Sequence, residues 1–335
     1  MINGAYTLYI ILFYAFSLTR ITYQLYFISH PFCTLDAQIP ERMKNIYSLS
    51  LFLCFITPRI FSQSTIDVSY AVDKSGNMVF SCNNRAFCPY VVKVDVTTMD
   101  NLKTDHTLPY EAEIKPGISK LFTLTTIDKG KDIQVKYKTS YRKGLIQPVI
   151  DPNFTYLLPF APGKEAQAYR IENHGSAGDE RDSGYAIRVR MKPGDTIYAA
   201  RRGVVTAVSV SNAENDAGVN VTEGWNYIEI FHKDGSFGEY GVVKKDGALV
   251  KPGQTVEAGT PIGIVGGDKY GRGSDIRFSV SYYPGQINTA EPLHCWVKGN
   301  GKLMLKHGGT YTSEYPRAIL MQEMSKPPVK KVKKK

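Results

Sequence analysis

The sequence predicts an all-β protein with two domains. Short runs of β-branched and aromatic residues recur from Thr65 to Tyr141 and again from Tyr185 to Val243, with Gly-rich or Asn-containing turn signals between them. No segment of the second half keeps the apolar period of a helix. A chain of 335 residues with 43% hydrophobic and 21% charged residues can bury two cores.

The first domain is predicted over residues 63–141. Strands such as Tyr90–Val96 and Leu121–Ile127, spaced within roughly 80 residues, favour a small β-sandwich of immunoglobulin type. Its sequence has no combination of residues typical of an active site, which indicates a module that binds a partner or acts as a spacer. Residues 142–164 hold four prolines and show little periodicity, so we expect an extended linker there.

Residues 43–62 have the pattern of a signal peptide. Lys44 provides a positive start, Ile46–Ile56 is an apolar core, and a cleavage site follows Ser62. The pattern predicts an exported protein, located in the periplasm or cell envelope.

This interpretation places the start of translation at Met43. Residues 1–42 are then upstream sequence read in frame. The alternative is a start at Met1 with a membrane span over Ala5–Thr19, but Arg20 ends that apolar run before the roughly 20 residues that a bilayer requires.

The formal charge of +10 is concentrated at the C-terminus. Residues 326–335 carry six lysines and no acid, and residues 1–62 carry an excess of two positive charges, which leaves +2 for the rest. With a net charge of only +2, residues 63–325 lack the strongly basic surface that binds a nucleic-acid backbone. A nucleic-acid partner is therefore excluded. Residues 316–335 are predicted to be a solvated, disordered basic tail. The alternative is a loose contact with anionic lipid or wall polymer.

Two cysteines lie close together in the first domain. Cys82 and Cys88 flank five residues, and an oxidising compartment would allow them to form a disulfide. The alternative is two free thiols in one hairpin.

The second half contains three sequence motifs, which follow one another as Met191–Ala200, Tyr227–Gly235 and Val250–Gly263. Their order and spacing resemble the lysostaphin/LytM-type zinc endopeptidases, which have the duplicated hybrid motif fold. The resemblance implies such a domain over 165–285, with a hairpin extension over 286–315. Five glycines fall where strand turns need positive φ or close backbone approach: Gly194, Gly203, Gly253, Gly259 and Gly263.

The same resemblance implies a zinc site, which this sequence does not preserve. Family members cut peptidoglycan peptides with one zinc ion, held by a His, an Asp four residues later and the second His of a His-x-His strand. Two further His act on the water and the oxyanion. The matching positions here are Gly184, Arg188, Arg277, Val242 and Asp275. Because guanidinium groups only donate hydrogen bonds, we expect no zinc, no catalytic residue and no enzyme activity.

The replaced positions also suggest a ligand site. Residues two apart on a strand face the same side, so Asp275 and Arg277 are expected to lie together, with Arg188 beside them. The surplus positive charge would bind a carboxylate of a stem peptide. Tyr240 is included among the candidate ligand-binding residues. The alternative is that these charges are solvated in an open cleft.

Three functions remain open from sequence. The first is a catalytically inactive envelope protein that binds peptidoglycan or regulates a wall hydrolase. The second is a divergent peptidoglycan metalloendopeptidase. The third is a surface adhesin or structural envelope protein.

Overall fold

The structure, a computed structural model, describes residues 64–171, 186–211, 226–267, 274–286 and 288–323. Within these ranges nearly all regular structure is β-strand, and one four-residue helix is present. The predicted all-β class is confirmed. The predicted signal peptide and upstream segment lie outside the described residues. Among the residues that are described, no helix has the length and apolar character to cross a bilayer.

Seven strands form the first domain as two sheets that share one core. One sheet has the order β1-β2-β6-β4: β1 (Ile66–Val72), β2 (Met78–Asn84), β6 (Gly117–Thr126) and β4 (Leu102–Lys103). The other has the order β5-β3-β7: β5 (Tyr110–Ile114), β3 (Tyr90–Asp100) and β7 (Gln134–Lys143). Phe80 and Phe122 stack at 4.7 Å between ring centroids, and Val92 packs against them from the second sheet. The domain is therefore a β-sandwich, and its immunoglobulin type stays a prediction.

The second domain is built on a large antiparallel sheet. Its strands are β9 (Glu165–Ile171), β10 (Ala186–Arg190), β12 (Gly203–Ser209), β13 (Tyr227–Phe231), β14 (Phe237–Gly241), β16 (Thr255–Val256), β18 (Asp275–Tyr282), β19 (Thr289–Ala290) and β22 (Gly309–Thr312). The order is β16-β12-β13-β14-β18-β10-β9-β22, and β19 pairs with β18. A second sheet has the order β11-β17-β15: β11 (Thr196–Tyr198), β17 (Pro261–Val265) and β15 (Val243–Ala248).

Strand alternation gives the large sheet one apolar and one polar face. Ile228 and Phe278 are fully buried and share a core with Ile262 of the second sheet. The opposite face carries Glu229 and Arg277. We call this polar side of the large sheet the groove face.

The segment predicted as a linker is partly folded core. Strand β8 (Thr155–Leu157) pairs in parallel with β20 (His294–Val297), which forms a hairpin with β21 (Gly301–Met304). Phe154 and Phe160 flank β8, and residues 154–160 are all buried. The prolines of this segment lie on either side of the short strand β8. Because β8 is buried on both faces, its sequence lacks the alternation of apolar and polar residues from which a strand is predicted.

Residues 316–323, which were predicted to belong to a disordered tail, are folded against the second domain. Helix α1 (Arg317–Leu320) follows Tyr315, whose hydroxyl donates a hydrogen bond of 2.7 Å to the Phe160 carbonyl. Glu323 then pairs with the buried Arg201. These anchors hold residues 316–323 on the second domain, and residues 324–335 lie outside the described residues.

Of the two alternatives for Cys82 and Cys88, a disulfide or two free thiols, the structure shows two buried free thiols. Cys82 belongs to the sandwich core. Cys88 instead lies near Glu229 of the second domain. Burial, and secondarily that carboxylate, raises the pKa of the Cys88 thiol to about 12. The two thiols face different surroundings, which is why proximity in sequence did not pair them.

Candidate functional site

The register between β10 and β18 brings three predicted site residues together on the groove face. Arg188 lies opposite Arg277, and Arg190 lies opposite Asp275. Asp275 is only 7% exposed, and its Oδ2 is 3.3 Å from Nε of Arg188. This ion pair joins β10 to β18 and puts Arg188 beside Asp275, as the sequence predicted.

An aromatic ring extends this group on the next strand. Tyr169 of β9 pairs with Arg188. The guanidinium carbons of Arg188 and Arg190 lie 5.1 and 5.5 Å from its ring centroid, within cation–π range. Sequence reasoning missed Arg190, although strand alternation places it on the same face as Arg188. We call Arg188, Arg190, Arg277, Asp275 and Tyr169 the arginine cluster; it carries three positive charges and one negative charge.

These side chains do not fit a zinc ion. Arg188 and Arg277 can only donate hydrogen bonds, and they would repel a divalent cation. Val242 is buried hydrocarbon, with a φ of 67° that a β-branched residue seldom adopts. Gly184 lies outside the described residues. Among those that are described, no group of three His, Cys, Asp or Glu side chains is placed to hold a metal.

Tyr240 lies on the other side of the sheet. It pairs with Phe278, stacks on it at 4.8 Å and is fully buried. Its hydroxyl accepts a hydrogen bond of 2.7 Å from the backbone N–H of Ala200. The structure therefore assigns Tyr240 to the core and not to the groove face, where a ligand would contact it.

A cavity of about 230 Å³ opens on the groove face beside the arginine cluster. We call it the acidic cavity, because its charged lining side chains within the described ranges are Glu229, Glu239 and Lys143. Lys143 is the last residue of β7 and reaches across from the first domain to form an ion pair with Glu229. Burial disfavours the Lys143 ammonium, but the Glu229 carboxylate outweighs it, and the pKa of Lys143 is raised. Sequence reasoning missed this site because its parts lie far apart along the chain.

A second buried charge cluster lies outside the groove. Arg201 is 4% exposed, and its Nη1 donates 2.7 Å to Oδ2 of Asp234. Its Nε donates 2.9 Å to Oε1 of Glu323, and its guanidinium carbon lies 3.7 Å from the Phe154 ring centroid. This cluster ties residues 317–323 to the second domain.

His232 is the buried histidine next to that cluster. It has no exposed surface, and its Nδ1 lies 2.8 Å from the Arg202 carbonyl, so Nδ1 carries the proton. Burial, followed by the charge of Arg201, lowers its pKa to about 3. Complete burial and this hydrogen bond indicate a structural role for His232.

This low pKa predicts a specific loss of stability in mild acid. The unfolded chain binds a proton at His232 below about pH 6.5 while the folded chain does not, so folding stability falls by about 1.4 kcal/mol per pH unit from pH 6 toward 4. We expect the difference in free energy of unfolding between wild type and His232→Gln to shrink by that amount, as measured by urea unfolding at several pH values. A difference that stays constant with pH contradicts a neutral buried His232.

Comparison with known proteins gives a consistent picture for the second domain. Residues 182–289 match Peptidase family M23. Similar solved structures include the catalytic domain of the antimicrobial peptidase lysostaphin from Staphylococcus simulans, with 22% identity, 38% of this chain and 87% of that chain covered, and a TM-score of 0.28. The catalytic domain of the prophage-encoded M23 protein EnpA from Enterococcus faecalis is 20% identical; the match covers 44% of this chain and 94% of that chain, with a TM-score of 0.26. Csd3 from Helicobacter pylori is 15% identical; the match covers 69% of this chain and 77% of that chain, with a TM-score of 0.28. Comparison with curated proteins gave no match.

Proposed function

Because residues 182–289 form a domain of peptidase family M23, we propose that the chain is a non-catalytic member of the bacterial cell envelope that binds peptides through its groove face. Its partner is peptidoglycan, or an envelope protein such as a wall hydrolase that it regulates. The observation that supports this most is the Arg188–Asp275 ion pair, which stands with Arg277 at positions that correspond to zinc-site residues of the family's endopeptidases. The signal-peptide pattern of residues 43–62 supports export.

The arginine cluster has the chemistry of a carboxylate site. Arg188 is held in place on one side by Asp275 and on the other by the Tyr169 ring, so little side-chain entropy is lost on binding. Within the cluster, three guanidinium groups lie beside one carboxylate. Guanidinium groups bind carboxylates through paired, charge-assisted hydrogen bonds. A free C-terminal carboxylate of a stem peptide is the ligand group that this arrangement would recognise.

We expect an Arg188→Ala plus Arg277→Ala variant to bind muropeptides at least about tenfold more weakly than wild type, because each lost guanidinium removes a charge-assisted contact. The measurement is isothermal titration calorimetry on the full chain. Muropeptides with an amidated C-terminus should bind wild type as weakly as the unmodified ones bind the variant.

Arg202→Ala is the matched control. Arg202 belongs to the same domain and forms an exposed ion pair with Glu257, so its loss should leave binding unchanged. Equal or absent muropeptide binding in wild type and the double variant contradicts a carboxylate site. Stoichiometric zinc in the purified protein, together with cleavage of wall peptides, contradicts the non-catalytic assignment.

A further inference from the structure

The two sheets of the first domain are left open along one side. Strand β1 is an edge of one sheet and β7 is an edge of the other, and within the described ranges neither has a second strand beside it. The rings of Tyr70 on β1 and Tyr137 on β7 lie 6.2 Å apart, edge to face, so the two edges are neighbours. We call the strip formed by β1 and β7 the open side. Edge strands present backbone N–H and C=O groups that a further strand can pair with.

Side chains that point between the sheets are exposed on the open side. Alternation places Ile66, Tyr70 and Val72 on the core-facing side of β1. Ile66 is 4% exposed, whereas Tyr70 and Val72 are 41% and 55% exposed. On β7, Tyr141 faces the same way as Tyr137 and is 48% exposed. These exposed apolar side chains lie where an additional strand would cover them.

The opposite side of the same domain is closed. Leu102 of β4 and Ile114 of β5, the edge strands there, are each only 3% exposed. The connection between these strands contains His106, whose ring lies 5.4 Å from that of Tyr110 and 6.1 Å from that of Phe122. Exposure of core-facing side chains is therefore a property of the open side and not of the whole sandwich.

The charge of β7 indicates which kind of strand fits. Lys136 and Lys138 flank Tyr137 on the outer face of β7, and both are exposed. A strand added beside β7 would place its own outward side chains opposite these lysines, where opposite charges stabilise a cross-strand pair and like charges destabilise it. Acidic residues are therefore favoured. Strand β7 itself contains no acidic residue, so β7 of a second copy cannot supply them.

We propose that the open side binds an extended segment of a partner protein, which adds to β7 as a further strand and alternates apolar with acidic residues. Its apolar side chains cover Tyr70, Val72 and Tyr141, and its acidic side chains pair with Lys136 and Lys138. In such strand addition the backbone hydrogen bonds provide affinity and the alternating side chains provide specificity. This surface belongs to the first domain, so the proposal does not depend on the carboxylate site of the groove face.

The test uses the peptide acetyl-TVEVEVT-amide as the probe and the full chain as the receptor. We expect the peptide to bind wild type, and Lys136→Glu plus Lys138→Glu to weaken binding at least about tenfold, because two favourable cross-strand charge pairs become repulsive. Fluorescence anisotropy of the labelled peptide measures the affinity. The double variant should bind acetyl-TVKVKVT-amide more tightly than wild type does. This reversed preference also shows that the variant is folded.

The controls separate strand addition from general electrostatics. Lys115→Glu plus Lys120→Glu changes two exposed lysines of the same domain outside β7, and it should bind the acidic peptide like wild type. The peptide acetyl-VVTEETV-amide has the same composition without the alternation and should not bind. The proposal is overturned if wild type does not bind acetyl-TVEVEVT-amide, if the rearranged peptide binds equally well, or if Lys136→Glu plus Lys138→Glu leaves the affinity unchanged.

The backbone contribution is tested with two N-methylated forms of the probe. Successive N–H groups of a strand point to opposite sides, so only one alternate set can face β7. One form is methylated at its valines and the other at its glutamates. We expect one form to lose binding and the other to retain it, and equal binding of both forms contradicts strand addition. Light scattering tests the other occupant: wild-type dimers that the acidic peptide dissociates would assign the open side to a second copy and overturn the proposal.

Discussion

An Arg201→Met substitution is expected to lower the free energy of unfolding by about 3–5 kcal/mol, the cost of breaking a buried ion pair by removing one partner. The Asp234 and Glu323 side chains are only 13% and 14% exposed, and the substitution strips both of their cation. Methionine fills much of the same space against Phe154. The loss in unfolding free energy therefore comes mainly from the removed charge and not from a cavity. Urea unfolding of the full chain at pH 7 measures it.

The neighbouring arginine provides the control. Arg202→Met removes an ion pair with Glu257 in which both side chains are about half exposed, and such pairs contribute at most about 1 kcal/mol. The losses in free energy of unfolding caused by Arg201→Met and Arg202→Met should therefore differ by several kcal/mol. Equal losses in the two variants contradict the buried cluster.

The two acids of the cluster differ in how easily they can reach solvent when Arg201 is lost. Glu323 follows α1 near the end of the described chain and can turn toward solvent when its partner is lost, whereas Asp234 is held by the backbone N–H and hydroxyl of Ser236. Most of the cost in Arg201→Met therefore comes from Asp234. Helix α1 contains no buried residue, and the Arg201–Glu323 ion pair attaches the segment that follows it.

The sequence predicted part of the arginine cluster. Asp275 and Arg277 are two apart on one strand, so alternation puts them on one face, whereas the family resemblance placed Arg188 beside them. Arg190 and Tyr169 were missed. Tyr240 and Val242 are also two apart, but β14 ends at Gly241 and Val242 takes a left-handed conformation. Alternation stops there, so the face of Tyr240 did not follow from the position of Val242.

The acidic cavity shows what a single sequence withholds. Glu229 belongs to the second domain and Lys143 to the first, and 86 residues separate them. Nothing within either segment marks a partner, because an ion pair between domains depends on how the two cores pack and not on local periodicity. For the same reason the sequence left a Cys82–Cys88 disulfide open, whereas the structure places the Cys88 thiol near Glu229.

A Gly203→Ala substitution is expected to destabilise the second domain by about 3 kcal/mol or more, because the added methyl group has no room. Its Cβ would lie 2.4 Å from the backbone oxygen of Phe231, 2.5 Å from Cγ2 of Ile230 and 3.0 Å from Nδ1 of His232. The sequence placed Gly203 among the glycines that permit close approach or positive φ, and here it is close approach that operates. Gly285→Ala is the matched control, since no atom lies within 4 Å of a Cβ there, and it should stay within about 0.5 kcal/mol of wild type in urea unfolding. If Gly203→Ala is as stable as Gly285→Ala, then β12 and β13 do not pack around His232 as the structure shows.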